Sequence, residues 1–503
     1  MQIERFRTGM DERSTLTETT WKPHILSNRQ RPKSGDSPPE VGTTGSARPT
    51  GGPIARPGER ATHARVAPAR ASAYVVIVRV FEEGAYADRA LHGEAARRQL
   101  PPRDRALAMQ LAYGTVQRRA TIDHVIEKLA GRPIGKLEPG VRAALRLGVF
   151  QLVYLDRVPA HAAVGESVEL AKAGSRGGAT LVNAVLRRAA REARALVEAL
   201  PDATAAEAAL RHSHPLWIAE LWFDALGAGT ARALMAAGNE PAEAALRANT
   251  LRISAGELRE RLPVASHPAD RLPEGLVVDA PFDAFASPLW EAGLFMPQSR
   301  AAIAVARALR PVAGDAVLDL CAAPGGKTTH LAALTGNAGR IVAVEHHPGR
   351  ADALRRTAAR MGATSVEVRT ADATDPQERG AYDRVLVDPP CSDLGTLASR
   401  PDARWRKDAA TADALAPAQR QILDAGAQAL RHGGVLVYST CTISPAENER
   451  QIDAFLDRHP DFAPDDLPSD LPVWDHPTVP RFLQTFPHRD GTDGFFVARL
   501  RRS

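Results

Sequence analysis

The chain contains three cysteines, and each lies at or just after the end of a β-rich apolar run. Cys321 lies in VLDLCAAPGGK, Cys391 in VLVDPPCSDLG and Cys441 in VLVYSTCTISP. Parallel strands bring their carboxyl ends to one edge of a sheet, where α/β proteins build ligand sites. We therefore expect Cys391 and Cys441 to lie at that edge, beside Asp388. Two thiols, a carboxylate and a glycine-rich turn favour covalent chemistry on a base over redox chemistry.

Acidic side chains also end four consecutive predicted strands, at Asp319, Glu345, Asp372 and Asp388. A carboxylate after the second strand can bind both hydroxyls of a ribose, and Asp372 is placed for an adenine amino group. The turn CAAPGGK matches neither the P-loop nor GxGxxG, which disfavours a dinucleotide. The predicted ligand is an adenosine without phosphates. S-adenosylmethionine fits, because its sulfonium charge suits an acidic pocket.

Cysteine spacing and hydropathy exclude several other classes of protein. The sequence has no CxxC or metal-ligand spacing, so neither a disulfide framework nor a bound metal is predicted. The first twenty residues carry acidic groups and no apolar core, unlike a secretory signal. No run of about 18 apolar residues could span a bilayer. We expect a cytoplasmic, monomeric protein that does not contact membranes.

Charge is divided unevenly along the chain. Of the 64 Lys/Arg and 59 Asp/Glu residues, residues 1–200 hold 32 and 20, a net charge of +12, and the remainder has a net charge of −7. This asymmetry predicts that the front half binds a polyanion. The alternative is that its arginines lie on solvated helix faces.

The front half divides into two segments. Residues 1–70 contain 8 Pro and 7 Gly but only 8 Leu, Ile, Val or Phe, so they predict a disordered basic tail. This tail either adds non-specific RNA affinity or is a dispensable leader. Over 71–200 apolar residues recur at helical spacing, as in Val141, Leu145 and Val149, which predicts an all-helical bundle.

The rest of the chain predicts mixed structure. Residues 201–300 combine a helix opening at SHPLWIAELW with a strand at AALRANTLRI and form a small α/β connector. From 301 to 503, six apolar runs alternate mostly with helix-length stretches. Their continuous apolar character predicts a doubly wound, Rossmann-like sheet covered on both faces.

Several motifs together resemble one family. LDLCAAPGGKTTHLA, DPPCS, PDARW, YSTCTISPAENE and DGFFVARL are similar to the RNA cytosine-C5 methyltransferases. DRALAMQLAYGTVQRR, the Leu147–Leu155 helix and VNAVLRR resemble a NusB-like RNA-binding domain. The combination is most similar to the bacterial small-subunit rRNA enzymes of that family. The sequence departs from the family pattern at four points. Glu345 replaces the usual Asp, DPPCS replaces the common DAPCS, Asp393 replaces a usual small residue, and Pro297-Gln298-Ser299 differs from the usual Gln-Asp pattern.

The resemblance implies a Rossmann-like, S-adenosylmethionine-dependent methyltransferase domain behind an all-α NusB-like bundle. It implies that the cofactor is bound by the turn after the first strand and by three carboxylates. The turn residues are Cys321, Ala322, Ala323, Pro324, Gly325, Gly326 and Lys327, and the carboxylates are those of Glu345, Asp372 and Asp388.

The same resemblance implies catalysis by two cysteines. Cys441 is the predicted nucleophile, which adds to C6 of cytosine and must be activated because a free thiol is mostly protonated at neutral pH. Asp388 stabilises the adduct. Lys327 either orients Asp388 or the cofactor, or is a plain surface lysine at the start of the helix. Cys391 assists elimination. No chemistry is assigned to the sulfur of Cys321.

The PDARW motif is predicted to face RNA. Arg404 and Trp405 are expected to form loop contacts with it, with Trp405 as a core residue the alternative.

Three functions remain open at this point. Methylation of 16S rRNA at a cytosine C5 leads, and tRNA is a rival substrate because catalytic residues do not encode which RNA is bound. A non-catalytic, antitermination-like RNA-binding factor is the rival from another class. Which cytosine is modified, and whether the substrate is naked RNA or a ribosomal particle, does not follow from the sequence.

Overall fold

A computed structural model describes residues 66–172, 176–280 and 282–503. The predicted tail over 1–70 lies outside the described residues except for its last five, where the first helix already begins at Pro68. Within the described ranges, no helix is both long enough and apolar enough to cross a membrane.

The front of the chain is an all-helical bundle, as predicted. Its core includes the stripe Val141, Leu145 and Val149, which lies on a helix with eleven buried residues. Proline begins three of the helices, where its missing N–H costs no hydrogen bond. The helices are α1 (Pro68–Glu82), α2 (Ala87–Arg98), α3 (Pro102–Gln117), α4 (Arg119–Ala130), α5 (Pro139–Tyr154), α6 (Ala160–Lys172) and α7 (Arg176–Glu198).

A second unit connects the bundle to the large sheet. Its four short strands form an antiparallel sheet in the order β2-β3-β1-β4. Two of its helices begin with capping boxes, at Thr204 and at Ser254. The elements are α8 (Ala205–Arg211), α9 (Leu216–Ala237), β1 (Ala245–Ala248), α10 (Ala255–Arg261), β2 (Ser266–Pro268), β3 (Gly275–Val278), α11 (Pro288–Glu291) and β4 (Phe295–Pro297).

The remainder is the predicted Rossmann-like domain. Its main strands run in the order β10-β12-β9-β8-β5-β6-β7, and β11 pairs with β12. The elements are α12 (Arg300–Leu309), β5 (Ala316–Leu320), α13 (Gly326–Leu334), β6 (Arg340–Glu345), α14 (Pro348–Met361), β7 (Val366–Thr370), β8 (Tyr382–Val387), α15 (Ala409–Asp413), α16 (Leu415–Ala429), β9 (Leu430–Thr440), α17 (Glu449–Arg458), β10 (Phe462–Pro464), β11 (Leu483–Gln484), α18 (Pro487–Asp490) and β12 (Phe496–Arg502).

Strands β7, β6, β5, β8 and β9 are parallel, whereas β12 runs antiparallel to β9. The six predicted apolar runs are β5, β6, β7, β8, β9 and β12. Strand order reverses at β5, whose neighbours are β6 and β8. Such a reversal opens a crevice at the carboxyl ends of the strands.

The prediction that Arg404 faces RNA is wrong. Its side chain is 0% exposed, because it lies where the bundle, the connector and the loop after β8 meet. The guanidinium donates to the carbonyls of Gly238, at 2.6 Å, and Leu397, at 3.1 Å, and to Asn239 Oδ1 at 2.8 Å. Burial, reinforced by the charge of Arg118, lowers the pKa of Arg404 to about 9.

Trp405 also faces the protein interior. It is half-buried, and its indole N–H donates to the Val116 carbonyl at 2.7 Å. The Arg119 guanidinium lies 4.4 Å from the centre of its ring. The PDARW motif therefore anchors the loop after β8 to the helical bundle.

We expect Arg404→Ala to destabilise the protein by on the order of 3 kcal/mol, since it leaves buried carbonyl groups without donors and opens a cavity. Urea denaturation followed by circular dichroism measures this as a lower unfolding midpoint. Arg191→Ala is the matched control: that side chain is 66% exposed, so its midpoint should stay close to that of the parent protein. Equal midpoints for Arg404→Ala and the parent would contradict the anchoring role.

Candidate active site

The turn between β5 and α13 packs closely against α14, because a Cβ at Gly325 would lie 2.6 Å from Leu354 Cδ1. Cys321 and Gly325 both have positive φ, at 66° and 101°. Two arginines fix the turn from outside. Arg247, fully buried on β1, donates to the Gly326 carbonyl at 3.3 Å, and Arg350 donates to the Ala323 carbonyl at 2.9 Å.

The strand-end carboxylates keep acceptor capacity for a nucleoside. Glu345 is 4% exposed; its Oε1 accepts from the backbone N–H of His347 at 2.9 Å, and its Oε2 lies 3.3 Å from Arg350. Each carboxylate oxygen accepts about two hydrogen bonds, so two ribose hydroxyls can still be bound. Asp372 is exposed, and its Oδ1 accepts from the backbone and hydroxyl of Thr374. Those two hydrogen bonds lower the pKa of Asp372.

Asp319 is a buried acid at the switch point. Its Oδ2 accepts from the Thr328 hydroxyl at 2.6 Å, but its Oδ1 has no partner. Burial raises the pKa of Asp319 to about 7, with the Thr328 hydrogen bond opposing and the charge of Asp388 adding to the rise. A buried carboxylate oxygen without a partner fits a ligand that brings a donor or a positive charge. The residues present therefore fit S-adenosylmethionine.

The raised pKa of Asp319 predicts a pH-dependent stability. The pKa of an Asp in an unfolded chain is about 3.9, so the folded state binds the Asp319 proton more tightly than the unfolded state does. The proton on Asp319 stabilises the folded state fully below about pH 4, and this stabilisation is lost as pH rises through about 7. We expect Asp319→Asn to raise the free energy of unfolding by about 1–3 kcal/mol at about pH 8 and by much less at about pH 5.

Urea midpoints at the two pH values test this. Asp352→Asn is the control, because that side chain is 60% exposed and should change stability equally at both pH values. An Asp319→Asn effect that does not depend on pH would contradict the prediction.

Asp388, the first residue after β8, is held from two sides. Lys327 Nζ donates to its Oδ2 at 2.8 Å, and the Ser439 hydroxyl donates to its Oδ1 at 2.7 Å. Burial works against a charged Lys327, but the charge and hydrogen bond of Asp388 outweigh it and raise the lysine pKa. Lys327 thus contacts Asp388 directly, and orientation of Asp388 is one of the alternative roles expected for it.

The two thiols predicted to act together are adjacent. Cys391 Sγ lies 3.3 Å from Cys441 Sγ, and Cys441 Sγ donates to Asp393 Oδ1 at 3.2 Å. The hydrogen bond with Cys391, then burial and the charge of Asp393, raise the pKa of Cys441, while Arg400 opposes them. Of these groups, only the charge of Arg400 favours the thiolate expected of Cys441.

Cys321 differs from this pair. Burial, with the charges of Asp388 and Asp319, raises the pKa of its thiol far above the ordinary value. The pKa of Cys441 is raised as well, so the pKa does not distinguish the two thiols, and the sulfur of Cys321 has no assigned role.

Sequence reasoning gave no role to Glu447, within the YSTCTISPAENE motif. Its buried carboxylate accepts from the backbone N–H of Ser392 at 2.9 Å, from the Ser392 hydroxyl and from Gln419 Nε2 at 2.9 Å. Burial raises the pKa of Glu447, against the hydrogen bonds from Ser392 and Gln419. Because Ser392 follows Cys391, Glu447 positions the loop that carries that thiol.

Asp393 is the other residue whose role sequence reasoning did not assign, although it was recognised as a departure from the family pattern. Besides Cys441, its carboxylate pairs with Arg400 at 3.1 Å and Lys407 at 2.6 Å. The ligand atoms of Cys391, Asp393 and Cys441 lie within 4.8 Å of one another, a spacing that a metal ion could also use. That no metal is bound remains a prediction.

The described chain thus consists of a helical bundle, a small antiparallel sheet and a mostly parallel sheet whose strand order reverses at β5. Family models match in the same order: NusB family over 67–191, the Methyltr_RsmF/B-like ferredoxin-like domain over 214–284, and 16S rRNA methyltransferase RsmB/F over 306–501. The chain belongs to the RsmB/F family of rRNA methyltransferases.

Relatives and solved structures agree with this assignment. The "Probable ribosomal RNA small subunit methyltransferase B" of Synechocystis is 38% identical over 86% of this chain and 99% of its own. The crystal structure of PH0851 is 27% identical with a TM-score of 0.75, over 87% of this chain and 99% of that chain. NSun6 from Pyrococcus horikoshii with SFG is 25% identical with a TM-score of 0.52, over 57% and 98%.

Proposed function

We propose that the protein transfers a methyl group from S-adenosylmethionine to C5 of a cytosine in small-subunit rRNA, through a covalent bond between Cys441 and C6. The observation that carries this is the pair of adjacent thiols beside the Asp388–Lys327 pair, at the sheet edge that also holds the turn after β5. The S-adenosylmethionine part is supported by the fit of the strand-end carboxylates and by a structural relative solved with SFG.

The chemistry explains why two thiols are needed. C5 of cytosine is a weak nucleophile, and addition of the Cys441 thiolate to C6 converts the ring into an enamine that is nucleophilic at C5. When bound, S-adenosylmethionine supplies an electrophilic methyl group. The Cys441–C6 bond must then break to release the methylated base, and Cys391 lies next to that sulfur.

Asp388 stabilises the adduct in this proposal. Lys327 and Ser439 fix both of its oxygens, so it meets the ring in a defined orientation, where it accepts from the exocyclic amine and offsets charge developing on the ring. A prealigned group of this kind costs no reorganisation during the reaction. Lys327 acts here as a positioning residue.

RNA as the partner rests on the front half of the chain. The helical bundle matches the NusB family, and residues 1–200 carry a net charge of +12. Arg187, Arg191 and Arg194 are exposed on α7, where they can neutralise phosphates. A cytoplasmic location and a monomeric state belong to the same proposal.

The test is methylation by the purified full chain with S-adenosylmethionine and EDTA, read by bisulfite sequencing. Separate reactions receive 16S rRNA, 23S rRNA, total tRNA and small ribosomal subunits. We expect one protected cytosine in 16S rRNA, and the same cytosine should lose protection in a deletion strain. Protection in tRNA alone would favour the rival substrate, and methylation at another base or atom would refute the C5 assignment.

A further inference from the structure

Asp393 follows the PCS motif and lies in the loop after β8, with a positive φ of 60°. The loop is tied to the nucleophile's own backbone, because the N–H of Gly395 donates to the Cys441 carbonyl at 3.0 Å. An Asp tolerates this left-handed conformation better than most residues. The carboxylate is therefore held against the sulfur by backbone and side-chain contacts together.

The direction of attack decides which group can take the C5 proton. Cys391, Asp393 and Cys441 place their reactive atoms within 4.8 Å of one another, so under the proposed function all three would meet the face of the ring that Cys441 attacks. The opposite face is the one open to methyl transfer. Methyl addition from there turns the C5–H bond toward the thiols, so its proton acceptor must lie on the thiol face.

Two described side chains hydrogen-bond to Cys441 Sγ, and they suit different steps. Cys391 Sγ, at 3.3 Å, is placed to return a proton to the departing sulfur. A thiol that gives a proton there cannot take one from C5 in the same step. Asp393 Oδ1, at 3.2 Å, is the acceptor that remains.

We propose that Asp393 is the base that removes the C5 proton, an inference that rests on the proposed function. The proton moves from C5 to Asp393, and the electron pair of the C5–H bond forms the C5=C6 double bond. The C6–S bond breaks, its electron pair stays on Cys441, and Cys391 protonates that sulfur. Water takes the proton from Asp393 and returns one to Cys391. The one proton released in each turnover is therefore the one that the Cys441 thiol lost to water before it added to C6.

Two cations and two thiols surround Asp393. Arg400 lies 3.1 Å and Lys407 2.6 Å from its oxygens, Cys391 and Cys441 face it, and Asp493 interacts electrostatically with Arg400. Asp393 is 24% exposed and Arg400 60% exposed, so a route to solvent exists for the proton. The two cations also keep the carboxylate in place during turnover.

The test uses full-chain Asp393→Asn with RNA carrying tritium at C5 of cytosine. Methyl transfer and tritium release should be equal in the parent protein. In Asp393→Asn the first methyl should transfer, while tritium release and decay of the protein–RNA adduct slow by about 10²–10³-fold, a range typical of a lost general base. Decay should accelerate as pH rises, because hydroxide replaces the missing base.

Two further variants separate base catalysis from support of the loop. Asp393→Glu should restore adduct decay, and formate, but not chloride, should accelerate it in Asp393→Ala. If Cys391→Ala formed an adduct while Asp393→Asn formed none and turned over normally, the role of Asp393 would be overturned and the proposed function would stand. The role of Asp393 would also be overturned if decay of the Asp393→Asn adduct did not depend on pH and if formate did not accelerate adduct decay in Asp393→Ala. No adduct and no tritium release in any protein would refute the proposed function itself.

Discussion

Cys441→Ala should lose RNA methyl transfer by on the order of 10⁴-fold or more, the scale on which removal of a covalent nucleophile acts. The reason is that the sulfur starts the reaction by adding to C6, whereas the neighbouring thiol of Cys391 is assigned to the later elimination. Cofactor affinity should stay within a few-fold, since the cofactor turn follows β5 whereas Cys441 follows β9. Radioactive methyl incorporation and isothermal titration with S-adenosylmethionine measure the two effects.

Cys441→Ser is the matched variant, because it keeps a polar side chain of similar size without the nucleophilic sulfur. It should be as inactive as Cys441→Ala, and both should keep the parent's urea midpoint. Methyl transfer near the parent rate by either variant would remove Cys441 from the mechanism.

Cys391→Ala should methylate RNA once and then remain attached to it. Cys441 can still add to C6 and the methyl group can still move, but the departing sulfur lacks the proton donor that lies 3.3 Å away. A slow-migrating protein–RNA species should appear on a denaturing gel, dependent on S-adenosylmethionine. Turnover should fall by about 10²–10⁴-fold, as expected for a lost general acid.

The double variant Cys391→Ala/Cys441→Ala is the control and should form no such species. Trapping in Cys441→Ala alone would exchange the roles of the two thiols. Normal turnover of Cys391→Ala without any trapped species would reduce Cys391 to a packing residue.

The fold was predictable because its signals are local. Continuous apolar runs predict buried parallel strands, and all six of the predicted runs form strands. The strand at AALRANTLRI is shorter than expected, covering Ala245–Ala248, because a turn follows at Thr250 and Leu251. The proximity of Cys391 and Cys441 followed from sheet topology alone, since both stand at the carboxyl ends of adjacent parallel strands.

The roles of Arg404 and Asp393 depend on tertiary contacts that no spacing rule contains. An arginine in a polar loop is usually exposed, and only docking of three parts of the chain shows that Arg404 is buried. The contact between Asp393 and Cys441 joins residues 48 positions apart. The raised pKa of Cys441 likewise comes from Cys391 and burial, which a reference pKa for an isolated thiol omits.

The burial of Arg404 limits which domains could replace the helical bundle of this protein. The loop after β8 carries Cys391 and Asp393 and also ends in Arg404, which contacts the bundle at the Gln117 carbonyl and the connector at the Ser213 carbonyl. The bundle is therefore not an interchangeable module. Grafting a foreign RNA-binding domain in its place would retarget the enzyme only if the graft also supplied carbonyl groups for this guanidinium.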